Sequence, residues 1–340
     1  MKTLLVGQEN KYSLTSSYKR AFESLNYNVS VLDIREKYEN HPLVNTFTHR
    51  FFWRILGSFV QDKLIKKVDK INPDIILIIK GWIIRPDTLK EIKKQHPNIA
   101  LFHLNPDNPF NTWHHGNSNS WIRSSIPIYD SHFFWGKFLI EKLKSKRAKR
   151  VDYLPFGYDP DLHYPAKISN KEKEYYGSDI AFVGSWDEER EEWLSSLIDY
   201  DLKIWGNHWE KAPSELQEKW QGEPVYGEEF SKVCNASKIN LNFIRKQNRP
   251  AHNMRTFEVP ACSGFLLSER TKESKGFFEE EVEADYFSTK GELRNKIKYY
   301  LENSQERKNI SKNGRKKVLN NNHSYKDRAK KILTVYKDIN

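Results

Sequence analysis

Cysteine is scarce in this sequence, which has only Cys234 and Cys262 among its 340 residues. Two thiols cannot build a disulfide framework or a four-ligand zinc site, although one bridge between them stays open. We therefore expect a protein of a reducing compartment.

Long apolar runs and the common nucleotide fingerprints are also missing. No run of about 18 apolar residues occurs, and the apolar residues 1–6 reach Gly7 without a small-residue cleavage site. We expect a cytoplasmic protein, with peripheral contact to a membrane left open. Residues 7–15 form a candidate acceptor or phosphate loop, yet they lack the Gly-x-Gly-x-x-Gly pattern and a Walker-type lysine, which argues against dehydrogenases and kinases.

The composition is that of a folded and moderately basic protein. Hydrophobic residues make up 38% of the chain and aromatic residues 14%, too many for a disordered chain. At about 150 residues per domain, this length predicts two domains. The net charge of +11 suits a phosphorylated donor, an acidic acceptor, an anionic membrane or nucleic acid, and does not choose among them.

Short runs of apolar residues, many of them β-branched, alternate in both halves of the chain with segments whose apolar residues recur at the period of a helix. This alternation predicts parallel strands joined by crossover helices. The predicted strands are residues 3–6, 28–32, 75–79, 99–104, 128–132 and 151–154 in the first half, and 180–183, 202–205, 239–243 and 264–267 in the second.

The alternation is interrupted once, where turn-forming residues cluster between 155 and 160. We predict an α/β protein with two Rossmann-like domains, residues 1–157 and residues 158–320. Polar helices rich in Lys and Arg follow residue 291, and the last of them, within residues 321–340, is expected to cross back to the first domain. Two such halves leave a cleft at the carboxyl ends of their strands, where open α/β sheets bind ligands.

The loop after the strand at 180–183 is one candidate anion site. Gly184 and Ser185 would let backbone amides approach an anion at the start of the next helix, and Arg190 would add a positive charge. The alternative is a tight turn, with Asp187 capping the helix and Arg190 in a surface ion pair.

A second group of polar residues follows the strand at 239–243 and has the chemistry for a nucleoside diphosphate. Arg255 and the amides at the start of the next helix can neutralise phosphates, and Glu258 can accept hydrogen bonds from a ribose diol. The alternative is a solvated salt bridge between Arg255 and Glu258, three positions apart. The other polar residues that we assign to this donor site are Asn242, Arg245, Asn253 and Thr256.

In the first half, residues 103–109 follow the strand at 99–104, and we expect Asn105, Asp107 and Asn108 to face the cleft. Asp107 is the candidate base for the acceptor hydroxyl, with Gly7 and His103 also on the acceptor side. The alternative is an Asx-Pro turn. We predict no metal site, because neither His103 with residues 114–115 nor the Asp-Pro-Asp at 159–161 has a convincing ligand pattern.

The order and chemistry of several segments resemble the CgeB-like glycosyltransferases, relatives of glycosyltransferases group 1. The resemblance covers roughly residues 150–335, and its segments are 154–159, 179–185, 205–206, 238–243, 255–260, 264–270, 292–293, 314–315 and 323–328.

This resemblance implies a GT-B fold and a donor site for a nucleoside diphosphate sugar, most simply UDP-linked, with no further cofactor. It implies that Glu258 binds the ribose and that Gly184, Arg190 and Arg255 line the diphosphate. The residues that it places near the base are Trp205, Gly206, Val225, Tyr226 and Gly227. Pro250 stands where retaining members commonly carry a second glutamate, so the stereochemical outcome stays open.

The main functional hypothesis is transfer of a sugar to a saccharide, protein or lipid-linked acceptor without a metal. One alternative is a glycosyltransferase that modifies DNA bases, which salt-sensitive duplex binding would reveal. Another is a noncatalytic module that binds an anionic polysaccharide or membrane through the basic run at 315–331. A solvated helix face, kept soluble by its charge, is the explanation of that run that we favour.

Overall fold

The computed structural model describes residues 1–35, 46–111 and 119–340, without the side chains of residues 46–56 and 58. The chain divides into two compact units. The first comprises Met1–Pro155 and Tyr325–Asn340, and the second Phe156–Ser324. The predicted boundaries at 157 and 320 therefore differ from the observed ones by two and four residues.

The first unit is built on a six-stranded parallel sheet with the order β2-β1-β3-β4-β5-β6. Its elements before the linker are β1 (Lys2–Gly7), α1 (Leu14–Glu23), β2 (Asn28–Asp33), α2 (Thr46–Ile71), β3 (Ile75–Ile79), α3 (Pro86–Gln95), β4 (Ala100–Asn105), α4 (Ser120–Ser125), β5 (Ser131–Phe134), α5 (Ile140–Lys144) and β6 (Val151–Tyr153).

Alternate residues of each central strand in this unit enter one of two hydrophobic cores, one on each face of the sheet. Ile76 and Ile78 of β3 belong to the first core, whereas Ile75, Leu77 and Ile79 belong to the second. A strand covered on both faces must be apolar at every position, which explains why the sequence of β3 has no polar residue.

The second unit contains a five-stranded parallel sheet with the order β11-β10-β9-β7-β8. Its elements are α6 (Asn170–Tyr176), β7 (Ile180–Val183), α7 (Glu188–Ser195), β8 (Leu202–Trp205), α8 (Ser214–Gln217), α9 (Gly227–Ala236), β9 (Ile239–Asn242), α10 (Arg255–Ala261), β10 (Leu266–Glu269), α11 (Lys272–Phe277), β11 (Asp285–Phe287), α12 (Lys290–Glu302) and α13 (Ser304–Asn320).

The last helix, α14 (Tyr325–Ile339), belongs to the first unit although it follows the second in sequence. The ring of Tyr325 lies 5.3 Å from that of Tyr18 on α1, and Ile332 is fully buried in the same core. Arg328 donates to the carbonyl of Pro155 at 2.9 Å.

Three sequence predictions about strands differ from the structure. β10 begins at Leu266 rather than at residue 264, because the amide of Gly264 still bonds the carbonyl of Val259 in α10. β5 begins at Ser131 rather than at residue 128, because Ile128 closes a turn onto the carbonyl of Ser125 and Tyr129 packs on a histidine ring instead of joining the ladder. β11, Asp285–Phe287, was not predicted; three residues are too short to give a periodic pattern.

Candidate functional site

The strand order of the second unit defines where its ligand site should lie. From β7 the chain adds β8 on one side, and β9 with the later strands on the other. In doubly wound sheets, ligands bind outside the carboxyl ends of the strands where the order reverses. That point lies between β7, which ends at Val183, and β9, which ends at Asn242.

The loop after β7 is held against the loop after β8 by direct backbone contact. A Cβ atom on Gly206, which has a φ of +146°, would lie 2.2 Å from the carbonyl oxygen of Gly184. Gly184 donates to the carbonyl of Trp205 at 2.9 Å and accepts from the indole of Trp209 at 2.9 Å. The predicted glycines therefore do lie together, and Gly206 is needed for the close approach of the two loops.

Arg190 is buried beside this loop rather than paired at the surface. Its guanidinium donates to the carbonyl of Ser185 at 2.8 Å and to that of Phe243, after β9, at 3.4 Å. Burial lowers the pKa of Arg190 to about 10, and the nearby charges of Arg245 and Arg255 act in the same direction. Arg190 still carries a positive charge at neutral pH.

Arg245 and Arg255 bring two more positive charges to the same loop. Arg255 donates from Nε to the carbonyl of Val183 at 3.3 Å, and its guanidinium lies 4.4 Å from the ring centre of Phe230. Arg245 is 42% exposed and lies 3.5 Å from Asp187, the carboxylate that also caps α7.

The same Asp187 lies 3.4 Å from Arg190, so one carboxylate is shared between two arginines. The remaining excess of positive charge suits a multiply charged anion.

Glu258 lies in the first turn of α10 with its side chain 6% exposed. Its Oε2 accepts a hydrogen bond from Arg255, and its Oε1 is 3.6 Å from Nε2 of His163. The Arg255–Glu258 pair proposed as an alternative is therefore present, but it is largely buried. Sequence reasoning missed His163, for which no local pattern gave a signal.

An amide network joins the end of β9 to the start of α10. Asn253 donates to Oδ1 of Asn242 at 2.8 Å and to the carbonyl of Phe243 at 3.2 Å, and Asn242 donates to Ser268 at 3.1 Å. Among the described residues, the buried Oδ1 of Asn253 and the buried hydroxyl of Thr256 have no hydrogen-bond partner. Unpaired buried polar atoms are rare and mark places where a ligand or water is expected.

The sequence predicted that the backbone amides at the start of α10 bind phosphate, but in the structure they already donate to carbonyls of the chain. The amide of Thr256 donates to the carbonyl of Asn253, and those of Phe257 and Glu258 donate to the carbonyl of Met254. Because α10 has seven residues and these amides are already bonded, the positive charge at this junction comes from the arginine side chains.

The predicted base-binding residues have different environments. Trp205 is 2% exposed and packs against the rings of Tyr175 and Tyr176, at 5.5 and 5.7 Å, so its ring is not an open stacking surface; its place near the base stays a prediction. Tyr226, at the start of α9, is 44% exposed, while Val225 is buried. Gly227 begins that helix with a φ of 53°.

At the carboxyl edge of the first sheet, Asp107 forms an ion pair with Lys80, 2.8 Å from Oδ2 to Nζ, and its side chain is 19% exposed. Asn105 and Asn108 accept from backbone amides two residues ahead, so the Asx turns weighed for this loop are present. Asn105 is 1% exposed, and its Nδ2 has no partner among the described residues. Gly7 ends β1, where a Cβ atom would lie 2.3 Å from the hydroxyl of Thr15.

His103 does not face an acceptor as predicted, because it is enclosed in the core of the first unit. Its Nδ1 lies 3.0 Å from Nδ1 of His132, and its ring stacks on Tyr129 at 4.7 Å. Burial lowers the pKa of His103 to about 3, and the neighbouring His132 acts in the same direction. Burial also lowers the pKa of His132 to about 4.

The described ranges contain no cluster of three His, Cys, Asp or Glu side chains that could hold a metal ion. Residues 114 and 115 lie outside them. The Asp159–Asp161 segment forms a turn in which the amide of Asp161 donates to the Asp159 carboxylate at 3.1 Å. Within the same ranges, no helix combines the length and apolarity needed to cross a membrane.

The basic run at 315–331 is largely occupied by intramolecular contacts. Arg315 donates to the carbonyl of Ala261, and Lys317 pairs with Glu283. In α14, Arg328 is buried, Lys330 pairs with Asp327 and Lys331 donates to the carbonyl of Tyr153.

Comparisons with known proteins agree with the class of fold. Residues 189–334 match the family described as glycosyl transferase-like. Sucrose-phosphate synthase from Thermosynechococcus elongatus is similar over 100% of this chain and 99% of its own, with 12% identity and a TM-score of 0.71. HepE from Anabaena in complex with UDP-glucose is similar over 99% and 100%, with 13% identity and a TM-score of 0.65.

A glycosyltransferase from Rickettsia africae ESF-5 is similar over 99% of this chain and 98% of its own, with 15% identity and a TM-score of 0.63. No protein of curated function matches the sequence. The prediction of a GT-B fold with two Rossmann-like α/β domains is confirmed. The family match over residues 189–334 agrees with the predicted enzyme class, glycosyltransferase. The narrower CgeB-like resemblance stays a prediction.

Proposed function

We propose that this protein transfers a sugar from a nucleoside diphosphate sugar, with uridine as the nucleoside, to a saccharide, protein or lipid-linked acceptor. The donor binds at the carboxyl ends of β7 and β9 in the second unit. The leaving diphosphate is stabilised by arginine side chains, so that no metal ion is required.

The observation that carries this proposal is the group of three arginines at the strand-order switch. Arg190, Arg245 and Arg255 come from different segments, and the charges of Arg245 and Arg255 both act on Arg190. Asp187 and Glu258 supply two carboxylates to these three guanidiniums, so one positive charge is left over, and a bound anion would offset the repulsion that remains. Fixed positive groups aimed at a departing diphosphate stabilise the charge that develops as the glycosidic bond breaks.

The nucleoside end of the donor is assigned to Glu258 and Tyr226. A carboxylate has about four acceptor positions, so Glu258 can bind ribose hydroxyls while it keeps its contact with Arg255. Tyr226 offers an exposed aromatic ring for a base. The choice of uridine is supported by the neighbour HepE, whose structure holds UDP-glucose.

The acceptor is assigned to the first unit, with Asp107 as the base. Its carboxylate is partly exposed and is held by Lys80 at 2.8 Å. A carboxylate in hydrogen-bond reach can take the proton of the attacking hydroxyl.

The test is a panel of UDP, GDP, CMP and dTDP sugars offered to the purified protein, with thermal stability and release of free nucleotide recorded. A donor at ten times its dissociation constant should stabilise the fold by about 1.4 kcal/mol. We expect one nucleotide to stand out, and Arg255→Ala and Glu258→Ala to abolish its effect.

The matched control is Arg294→Ala, which removes an exposed arginine paired with Asp199 on the same unit. It should respond to the donor like the unmodified protein. If no nucleotide stabilises the protein or is released, the proposal is wrong.

Contact with an anionic membrane or polymer, including DNA, is the alternative. The intramolecular contacts of the basic run at 315–331 leave it little support. Salt-sensitive binding of duplex DNA or of anionic vesicles, without any response to nucleotide sugars, would favour it.

A further inference from the structure

The turn that follows the linker brings a histidine to the candidate ribose-binding carboxylate. The carbonyl of Asp159 accepts from the amides of Leu162 and His163 at 3.0 and 2.8 Å, which closes a single helical turn. Ser231 on α9 donates to the carbonyl of Leu162 at 3.2 Å and so fixes this turn to the helix.

This turn also determines the tautomer of His163. The amide of Asp159 donates to Nδ1 of His163 at 3.0 Å, so Nδ1 must be an acceptor and the neutral ring carries its proton on Nε2. That N–H lies 3.6 Å from Oε1 of Glu258, and the two side chains are 9% and 6% exposed. A buried donor is therefore directed at a buried carboxylate.

Phe230 supports both partners of Glu258. Its ring packs edge-on against the ring of His163 at 5.7 Å and lies 4.4 Å from the guanidinium of Arg255. Arg255 bonds one oxygen of Glu258, and His163 faces the other. The carboxylate is thus confined from two sides by groups that share one aromatic platform.

We infer that His163 is a positioning residue that orients Glu258 for the ribose hydroxyls of the donor, an inference that rests on the proposed function. At 3.6 Å the contact is longer than a hydrogen bond, and such contacts at binding sites commonly tighten when the ligand arrives. A ligand that shifts Glu258 by about half an ångström toward His163 brings the pair into hydrogen-bond range.

The test compares the affinities for UDP and 2′-deoxy-UDP by calorimetry. A carboxylate that binds the ribose diol should prefer UDP by about tenfold. His163→Asn keeps an acceptor near the Asp159 amide but is too short to reach Glu258, so the folded variant should lose most of this preference. Its smaller side chain beside Phe230 should also lower the melting temperature, which is measured separately. His163→Gln carries an amide N–H at about the position of Nε2 and should restore the preference for UDP.

His208→Asn is the matched control, because His208 is 62% exposed and already has the positive φ that asparagine tolerates. It should keep the preference for UDP. If the unmodified protein prefers UDP and His163→Asn keeps the full preference, the inference is wrong while the proposed function stands. If the unmodified protein binds neither nucleotide, the proposed function itself fails.

Discussion

At the scale of single residues, the site depends on arginines that are not interchangeable with lysine. Arg190 bonds two carbonyls on different loops, Ser185 after β7 and Phe243 after β9, with separate nitrogens of one planar group. It therefore fixes the geometry of the loops as well as supplying charge.

We predict that Arg190→Lys weakens donor binding by tenfold or more and lowers the free energy of unfolding by about 1–3 kcal/mol. A lysine has one nitrogen and cannot span both carbonyls. Donor calorimetry and urea denaturation provide the measurements. Arg294→Lys, at a pair with Asp199 on the same unit, should leave donor binding within error and lower the free energy of unfolding by less than Arg190→Lys does. Equal effects of the two substitutions would contradict this account of Arg190.

The residues that could be predicted from the sequence were those with a local signal. Arg255 and Glu258 stand at a strand-to-helix junction, and Gly184 follows a strand, so position alone suggested a role. His163 has no such signal, because its partner Glu258 is reached only through the packing of a distant turn on α9. His103 was misassigned because a strand residue next to a loop can point into the core.

At the scale of elements, the site depends on two loops that meet at their backbones. Gly206 allows this contact, since any side chain would collide with the carbonyl of Gly184. The orientation of the loop that carries the anion site is therefore set partly by the loop after β8.

We predict that Gly206→Ala separates these loops, destabilises the fold by about 1–3 kcal/mol and weakens donor binding. Gly291→Ala, in α12, provides the control, because a Cβ atom there meets nothing within 4 Å. Its stability should be unchanged or slightly increased. A Gly206→Ala protein with unaltered stability and donor affinity would refute the proposed role of the contact.

The elements differ in how far the sequence determines them. β3, β7 and β8 have the predicted bounds, because strands buried in a parallel sheet are short, unbroken apolar runs. α6 was missed although Ser169 and Glu172 form a capping box, a signal that is legible in the sequence. β11 lacked such a signal, since its three residues depend on pairing with β10.

At the scale of the whole molecule, the histidines buried in the first unit link its stability to pH. The pKa values of His103 and His132 in the folded chain are about 3 and about 4, both below the ordinary value of 6.5. Between pH 6.5 and about 4, the unfolded chain therefore binds more protons than the folded chain. The stabilising effect of neutral pH is complete above 6.5 and is lost as the pH falls.

We predict that the free energy of unfolding decreases from pH 7 to pH 5, with a slope that approaches about 1.4 kcal/mol per pH unit for each histidine once the pH is below 6.5. Urea denaturation at several pH values measures this slope. His103→Gln should reduce the slope by about half, whereas His208→Gln, at an exposed position, should not. An unchanged slope in His103→Gln would show that other groups cause the pH dependence.

The sequence predicted two domains at this scale because β/α alternation restarts after the linker. The return of the last helix was expected without a pattern of its own that indicates it. The linker itself was placed from turn-forming residues alone, and the observed division falls at Pro155, where β6 has already ended. What the sequence could not predict is which charges come together, because Arg190, Arg245 and Arg255 converge only through the order of the strands.

If these arginines form a diphosphate site, calorimetry of UDP and uridine should reveal it. We predict that the protein binds UDP about a hundredfold more tightly than uridine, and that Arg255→Ala reduces this ratio by tenfold or more. Arg294→Ala should leave the ratio unchanged. If Arg255→Ala weakens UDP and uridine equally, or if the protein does not distinguish the two ligands, the arginines do not bind a diphosphate and the claim is contradicted.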